Sequence, residues 1–162
     1  MKQELLLHPF PPLWDEESRV LILGSFPSVM SRKNAFYYAH PQNRFWKLMS
    51  LIYEEEIIDR AAFCHQHHIA LWDVIESCTI TGSSDSSIRD VKVNDIAELL
   101  SKSRIRQVFT TGSTAWNLYR QYVTADIDAV RLPSTSPANA AMKLEDLLPY
   151  YRQIREVTDE ED

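Results

Sequence analysis

The sequence predicts an α/β fold of three layers, in which helices cover both faces of a central, mainly parallel sheet of four strands. Four short, largely apolar runs are separated by segments whose apolar residues recur at helical spacing. Three of these runs end in a turn that is rich in Gly, Ser, Thr or Pro. Strands that alternate with helices are typical of parallel sheets that are buried on both faces.

The elements follow in order along the chain. Residues 1–18 are expected to be irregular, because Pro9, Pro11 and Pro12 block a helix there. Strands are expected at residues 19–23, 69–72, 107–111 and 129–132. Helices are expected at residues 43–53, 59–68, 94–101, 112–122 and 144–157, with Asn94 as the N-cap of the third. A Ser- and Asp-rich loop is expected at residues 82–89, and an acidic tail at residues 158–162.

Length and composition predict one soluble domain. The 162 residues are 44% hydrophobic and 25% charged, and no apolar segment is long enough to cross a bilayer. The amino terminus lacks a secretory cleavage pattern and the chain has only two cysteines, so we expect a cytoplasmic monomer without a disulfide scaffold. The net charge of −6 argues against broad attraction to nucleic acid. The acidic residues are clustered at 15–17, 54–56 and 159–162, however, and these clusters can lie away from a site.

Three turns follow strands of the predicted sheet, at residues 24–28 (GSFPS), 112–114 (GST) and 133–137 (PSTSP). The carboxyl ends of parallel strands lie at one edge of a sheet, so these turns are expected to meet there. Together they would present hydroxyl and backbone N–H donors that hold phosphate without lysine or arginine. A single turn of this composition is explained by the fold alone, because folds of this kind need tight turns at strand ends. Three such turns together favour an anion-binding edge of the sheet.

Residues 37–46 (YYAHPQNRFW) place aromatic side chains beside His, Asn and Arg. This set suits a flat heterocycle better than a sugar or a lipid, and it indicates a nucleobase site. By contrast, the segment from Cys64 to His68 does not make a convincing metal site. A complete site needs three or four ligands, and Cys78 is the only other thiol.

Residues 24–28 followed by residues 39–47 (AHPQNRFWK) resemble the first motif region of the uracil-DNA glycosylase superfamily, most closely its hypoxanthine (deoxyinosine) branch. Residues 132–139 (LPSTSPAN) resemble the second motif, a Pro–Ser loop that enters the minor groove. Residues 71–75, 82–86 and 112–115 fall where the family has its intermediate elements, so the resemblance covers residues 21–140. It implies a DNA glycosylase that everts a deaminated base from DNA, needs no metal or organic cofactor, and leaves an abasic site.

One departure bears on the substrate. Phe26 stands where the mismatch-specific branch has a catalytic Asn, and the hypoxanthine branch shares this lack. In that branch the role is attributed to the position that corresponds to Asn43. The departure therefore favours a deaminated purine, above all hypoxanthine, over uracil.

The resemblance also implies the roles of individual residues. Asn43 would orient water or bond the base, although an Asn at this place could equally cap the helix that follows. Asp85 is a candidate for positioning water, but many loop acids are simply solvated. The base pocket would be formed by Gly24, Ser25, Phe26, Pro27, Tyr37, Tyr38 and His40, with Tyr38 stacked on the base. The DNA contacts would come from Ser28, Gly112, Ser113, Ser134, Thr135, Ser136 and Pro137.

Two alternatives stay open. One is a uracil or thymine mismatch glycosylase of the same superfamily. The other is a non-catalytic α/β module that binds nucleotides or DNA, which Phe26 and the acidic chain favour. Since no lysine is placed for Schiff-base chemistry, an enzyme of this kind is expected to be monofunctional.

Overall fold

A four-stranded parallel sheet and a smaller antiparallel sheet form the framework of the structure, a computed structural model that describes residues 3–81 and 87–160. The strands are β1 (Gln3–Leu7), β2 (Val20–Gly24), β3 (Ile69–Asp73), β4 (Ile75–Thr81), β5 (Arg89–Val93), β6 (Gln107–Thr111) and β7 (Ala129–Leu132). The helices are α1 (Val29–Asn34), α2 (Phe45–Tyr53), α3 (Arg60–Gln66), α4 (Ile96–Ser101), α5 (Ser113–Tyr122) and α6 (Leu144–Thr158).

The parallel sheet has the strand order β3-β2-β6-β7 and confirms the predicted three-layer architecture. Side chains alternate across the central strand β2, because successive residues of a strand point to opposite faces. Val20 and Ile22 pack with α2, α3 and α6, while Leu21 and Leu23 pack with α4 and α5. Every residue of β2 is buried, as expected for a parallel strand covered on both faces.

The antiparallel sheet, in the order β1-β4-β5, was not predicted. The expectation that residues 1–18 are irregular is wrong for Gln3–Leu7, which pair with β4 in a register that runs from Gln3 opposite Thr81 to Leu7 opposite Ser77. The prolines that block a helix begin only after this strand. Leu5 and Leu7 are 71% and 68% exposed. The strand therefore lacks the alternation of buried and exposed side chains from which a strand is predicted.

Three smaller expectations also need correction. Asp95, not Asn94, is the N-cap of α4, because its carboxylate accepts the Glu98 N–H at 3.1 Å. The amide of Asn94 is instead buried and donates to the carbonyls of Asp73 and Ile75. The expected loop at residues 82–89 gives way to β5 at Arg89, and its residues 82–86 lie outside the described part of the chain. The expected acidic tail begins one residue later, because Thr158 is the buried last residue of α6.

Within residues 3–81 and 87–160, none of the helices has the length and hydropathy that a bilayer-spanning helix needs.

Candidate active site

A cavity of about 460 Å³ opens at the carboxyl edge of the parallel sheet, where the predicted turns meet. Three segments surround it: the first loop (residues 24–28), the aromatic segment (residues 37–43) and the Pro–Ser loop (residues 133–139). The predicted site residues that line it are Gly24, Ser25, Phe26, Pro27, Ser28, Tyr37, Tyr38, His40, Asn43, Ser134, Thr135, Ser136 and Pro137. The expectation that separate turns share one rim is therefore confirmed for the first and the last of them.

The turn after β6 supports the cavity without lining it. Gly112 is the N-cap of α5 and has a φ of +94°, a backbone conformation that favours glycine. Its N–H donates to the Leu132 carbonyl at 2.7 Å, and a Cβ at this position would lie 3.6 Å from the Cβ of Ser134. Gly112 and Ser113 thus lie next to the Pro–Ser loop, outside the set of lining residues. The remaining candidate, Asp85, lies outside the described residues.

Tyr38 forms one wall of the cavity and is held from behind by Phe45. The two rings are stacked, with centroids 4.1 Å apart and planes 15° from parallel. The Tyr38 backbone has a φ of +53°, which is unusual for a large side chain and is tolerated only where the surroundings enforce it. Its hydroxyl lies 3.4 Å from Thr111 Oγ1, and burial raises the pKa of the phenol, which stays neutral.

Tyr37 belongs to the core as much as to the cavity. Its hydroxyl donates to the Pro11 carbonyl at 3.1 Å, and its own carbonyl accepts the indole N–H of Trp46 at 3.1 Å. Of the two tyrosines proposed for base stacking, Tyr38 is therefore the better placed.

Asn43 lies at the amino end of α2, and its side-chain oxygen accepts the Phe45 N–H at 3.0 Å. This bond orients the amide. The NH₂ group has no hydrogen-bond partner among the described residues and stays available to a ligand. Asn43 also lines the cavity. The expected capping role is wrong in detail, because Arg44 is the N-cap of α2 and Asn43 is the residue before it, bonded to the first N–H of the helix.

His40, on the same segment, is half-buried and lines the cavity. Its Nδ1 accepts the Gln42 N–H at 3.0 Å, so a neutral His40 carries its ring proton on Nε2.

Asp73, the last residue of β3, is a cavity-lining residue that the sequence did not single out. It forms a buried pair with His8, whose Nε2 lies 2.8 Å from Asp73 Oδ2; the two side chains are only 4% and 7% exposed. The Nδ1 of His8 lies 2.7 Å from the Phe10 carbonyl and must carry a proton, since a carbonyl only accepts. One further proton is then shared between imidazole and carboxyl. Burial raises the pKa of Asp73, and the hydrogen bond from His8 partly opposes this.

The other carboxyl oxygen of Asp73 explains the glycine at position 24. A Cβ on Gly24 would lie 2.4 Å from Asp73 Oδ1, closer than real contacts allow. Sequence inspection could have suggested Asp73, because it is a polar residue at the end of a buried strand that shares the edge of the site. Its partner His8 is 65 residues away along the chain, and no sequence pattern predicts that the two residues pair.

Arg44 fixes the position of the Pro–Ser loop. Its guanidinium donates to the carbonyls of Thr135 (3.3 Å), Ser136 (2.8 Å) and Asn139 (3.0 Å), and to that of Met142. The planar fork of donors suits such a set of carbonyls, which a lysine could not satisfy. The loop is thereby tied to the same helix terminus that carries the catalytic candidate Asn43.

Within the Pro–Ser loop, several backbone donors are already used. The Ser134 hydroxyl accepts the Ser136 N–H, and the Ser136 hydroxyl accepts the Ala138 N–H. The expectation of freed backbone N–H groups is therefore wrong for these positions, because small side chains stabilise the turn internally. Each hydroxyl keeps a proton to donate outward. Thr135 is buried, and its carbonyl faces Arg44 rather than solvent.

No group of three or more His, Cys, Asp or Glu side chains in the described part of the chain is arranged to hold a metal ion. Cys64 is buried in the core, while His65 bonds Asp15 and His67 bonds Glu55.

The comparisons with known proteins agree with this architecture. The family model described as "Uracil DNA glycosylase superfamily" matches residues 11–155, and the chain belongs to that superfamily. A protein of Methanosarcina acetivorans named hypoxanthine DNA glycosylase is 33% identical over 136 residues, which cover 80% of this chain and 86% of that protein.

A hypoxanthine DNA glycosylase of Methanosarcina barkeri is 36% identical over 95 residues, covering 56% of this chain and 60% of the relative's length. The fold also matches a solution NMR structure from Methanosarcina acetivorans, described as that of a candidate uracil DNA glycosylase. The TM-score is 0.75 at 29% identity, over 93% of this chain and 99% of the other.

Proposed function

We propose that this protein is a monofunctional DNA glycosylase that hydrolyses the N-glycosidic bond of a deaminated base, with hypoxanthine as its leading substrate. The observation that carries the proposal is the cavity between Tyr38 and Asn43 at the carboxyl edge of the sheet. The relatives named hypoxanthine DNA glycosylase support the choice of base. So does Phe26, which leaves the first loop without an amide or carboxylate at that position.

A base inside a duplex is out of reach, so the nucleotide has to be everted into the cavity. The everted purine stacks on Tyr38, whose ring is already backed by Phe45. Ser134 and Ser136 line the cavity, and their hydroxyl groups donate to the flanking phosphates, whereas the Ser28 hydroxyl already donates to Ser31. Such neutral donors do not require a basic face on the protein.

Asp73 and the first loop distinguish a deaminated purine from adenine. Deamination replaces the lone pair on N1 of adenine by an N–H and replaces the amino group by a carbonyl. Asp73 Oδ1 accepts from the new N1–H, while the N–H of Phe26, which no described residue accepts, donates to the purine carbonyl. Adenine would instead place a lone pair against the carboxyl oxygen, and a site built for hydrogen bonding rejects such a mismatch strongly.

Cleavage develops positive charge on the sugar and negative charge on the departing base, while water attacks the sugar carbon. Asn43 does not take up a proton near neutral pH. Its NH₂ group holds the water or the base in position. This lowers the activation free energy most when the geometry is fixed before the reaction. The bond from Phe45 N–H to the Asn43 oxygen supplies that fixed geometry.

The acidity of the chain does not oppose this function. Several members of the acidic clusters are paired on the surface, as in the contacts of Asp15 with His65, Glu17 with Arg104 and Glu55 with His67. Of the described residues that line the cavity, Asp73 is the one acid, and it shares a proton with His8. The monomeric state, the cytoplasmic location and the absence of a cofactor stay predictions.

The test is a single-turnover assay on duplexes that contain one hypoxanthine, uracil, xanthine or adenine, followed by alkaline cleavage of abasic sites. Wild-type protein is expected to act best on hypoxanthine and not on adenine. Asn43→Ala should slow the reaction at least tenfold, which corresponds to about 1.4 kcal/mol of transition-state stabilisation. Asn117→Ala, an exposed residue of α5, is the matched control and should leave the rate unchanged.

Because the Asn43 side chain also accepts the Phe45 N–H, Asn43→Ser separates this structural bond from catalysis. A serine hydroxyl can accept the same N–H, so this variant should recover the stability that Asn43→Ala loses, about 1 kcal/mol, without recovering the rate. Preferred release of uracil would point to a uracil glycosylase. Binding of duplex without release of any base would contradict the proposal in favour of a binding module.

A further inference from the structure

Arg32 is the one arginine or lysine among the described residues that line the cavity. It lies near the end of α1, the helix that follows the first loop. Its Cζ is 5.8 Å from the centroid of the Phe26 ring, which is itself buried. A permanent positive charge is therefore held against the wall of the cavity that the first loop forms.

The Nε of Arg32 is buried and has no hydrogen-bond partner in the part of the chain that the structure describes. Buried donors in native proteins nearly always have partners, and one left without a partner costs free energy. Arg44 provides the contrast, since its guanidinium donates to four carbonyls. Arg32 lines the cavity, and its guanidinium therefore keeps its hydrogen-bonding capacity for a partner that enters with the substrate.

The reaction supplies such a partner. When the C1′–N9 bond breaks, both of its electrons stay with the purine, which departs as an anion. Asn43 and Asp73 have little ability to protonate it, because an amide is not an acid and the proton of Asp73 is held in the buried pair with His8. A fixed cation stabilises an anionic leaving group without any proton transfer.

We propose that Arg32 is the catalytic residue that stabilises the departing purine anion, an inference that rests on the proposed glycosylase function. Water adds to C1′ and releases its proton to solvent, so the sugar product carries a hydroxyl group. The purine anion takes up a proton after it leaves the site. Arg32 keeps all of its protons throughout, and the step balances without a general acid.

The position of Arg32 separates this role from that of a phosphate ligand. The exposed residues that line the cavity are Ser28, Val29, Pro137 and Ala138, whereas Arg32 is half-buried. The DNA backbone has to stay at the rim, while the everted base is what enters the cavity beside Phe26.

The experiment measures single-turnover rates of the full chain on duplexes that contain hypoxanthine or 8-azahypoxanthine, whose additional ring nitrogen makes the departing anion more stable. Arg32→Gln should slow release of hypoxanthine about 100-fold, the effect of removing one such electrostatic donor. The loss on 8-azahypoxanthine should be at least tenfold smaller. Arg32→Lys should recover part of the rate because it keeps the charge.

Lys33→Gln is the matched control, because it removes a neighbouring charge from the same helix but from an exposed residue that does not line the cavity. It should leave both rates within threefold of wild type. Binding of Arg32→Gln to a duplex with a non-cleavable 2′-fluoro deoxyinosine should also stay within threefold, and circular dichroism should show an unchanged fold.

Equal losses on both bases, with weaker duplex binding and a salt dependence reduced by about one phosphate contact, would identify Arg32 as a phosphate ligand and overturn the inference. An Arg32→Gln variant as fast as wild type would overturn it as well. A large loss of rate in His40→Gln would then indicate that His40 stabilises the departing purine. In both cases the wild type still releases hypoxanthine, and the proposed function stands. A wild type that releases neither base would overturn both.

Discussion

Replacing Arg44 by lysine tests whether the Pro–Ser loop is held in place by one guanidinium. The four carbonyls that accept from Arg44 are spread over residues 135–142, and a lysine ammonium can reach one or two of them. Each hydrogen bond contributes about 1 kcal/mol net, so the loss of two or three lowers the free energy of unfolding by about 2–3 kcal/mol. In a chain of this length, that lowers Tm by about 4–12 °C.

The assay is thermal and urea unfolding followed by circular dichroism, with Arg155→Lys as the control. Arg155 is half-buried and donates to one backbone carbonyl, that of Ile52, where Arg44 donates to four; its other contacts are ion pairs with Glu54 and Asp159, which contribute little. The control should lose less than about 1 kcal/mol. Because the loop would lose its fixed position, Arg44→Lys should also excise hypoxanthine at least tenfold more slowly, about 1.4 kcal/mol. If Arg44→Lys is as stable as Arg155→Lys, the loop is held by other contacts and the reasoning is wrong.

Two further predictions concern the buried pair beneath the cavity. Gly24→Ala places a Cβ 2.4 Å from Asp73 Oδ1, so the carboxyl group has to move. We expect the free energy of unfolding, measured in urea, to fall by about 1–3 kcal/mol and the excision of hypoxanthine to slow down. A variant with unchanged stability and rate would contradict the contact. Burial raises the pKa of Asp73, so its protonated form favours folding, and that contribution is lost as the pH rises through the raised pKa. Asp73→Asn should therefore be more stable than wild type by about 1 kcal/mol at pH 8, with an advantage that shrinks towards pH 4 in urea unfolding. An advantage that grows as the pH falls would show that the sign is wrong.

The parallel sheet was predictable because its strands are short apolar runs buried on both faces. The strand at Val20–Gly24 is apolar at every position apart from its glycine, and all five of its residues are buried. The strands Gln3–Leu7 and Arg89–Val93 were not predictable in the same way. They lie at the two edges of the antiparallel sheet, expose most of their side chains, and depend on pairing with β4.

The residues of the site divide in the same way, into those that a sequence motif marks and those that depend on the fold. Tyr38 and Asn43 lie in a motif that is contiguous in sequence, so the resemblance reached them directly. Asp73 is held in the site by His8, which directly follows strand β1 of the antiparallel sheet. Arg44 acts on backbone carbonyls, which every residue has and no sequence pattern marks. Arg32 matters through an unsatisfied nitrogen that only three-dimensional packing reveals.

The most direct measurement is a crystal structure of the Asn43→Ala variant bound to a duplex that contains one deoxyinosine. Hypoxanthine should lie outside the helix and inside the cavity, with its ring parallel to that of Tyr38 and its N1 next to Asp73, while the Pro–Ser loop contacts the minor groove. A base that stays stacked in the duplex, or DNA bound at a different face of the protein, would contradict the account.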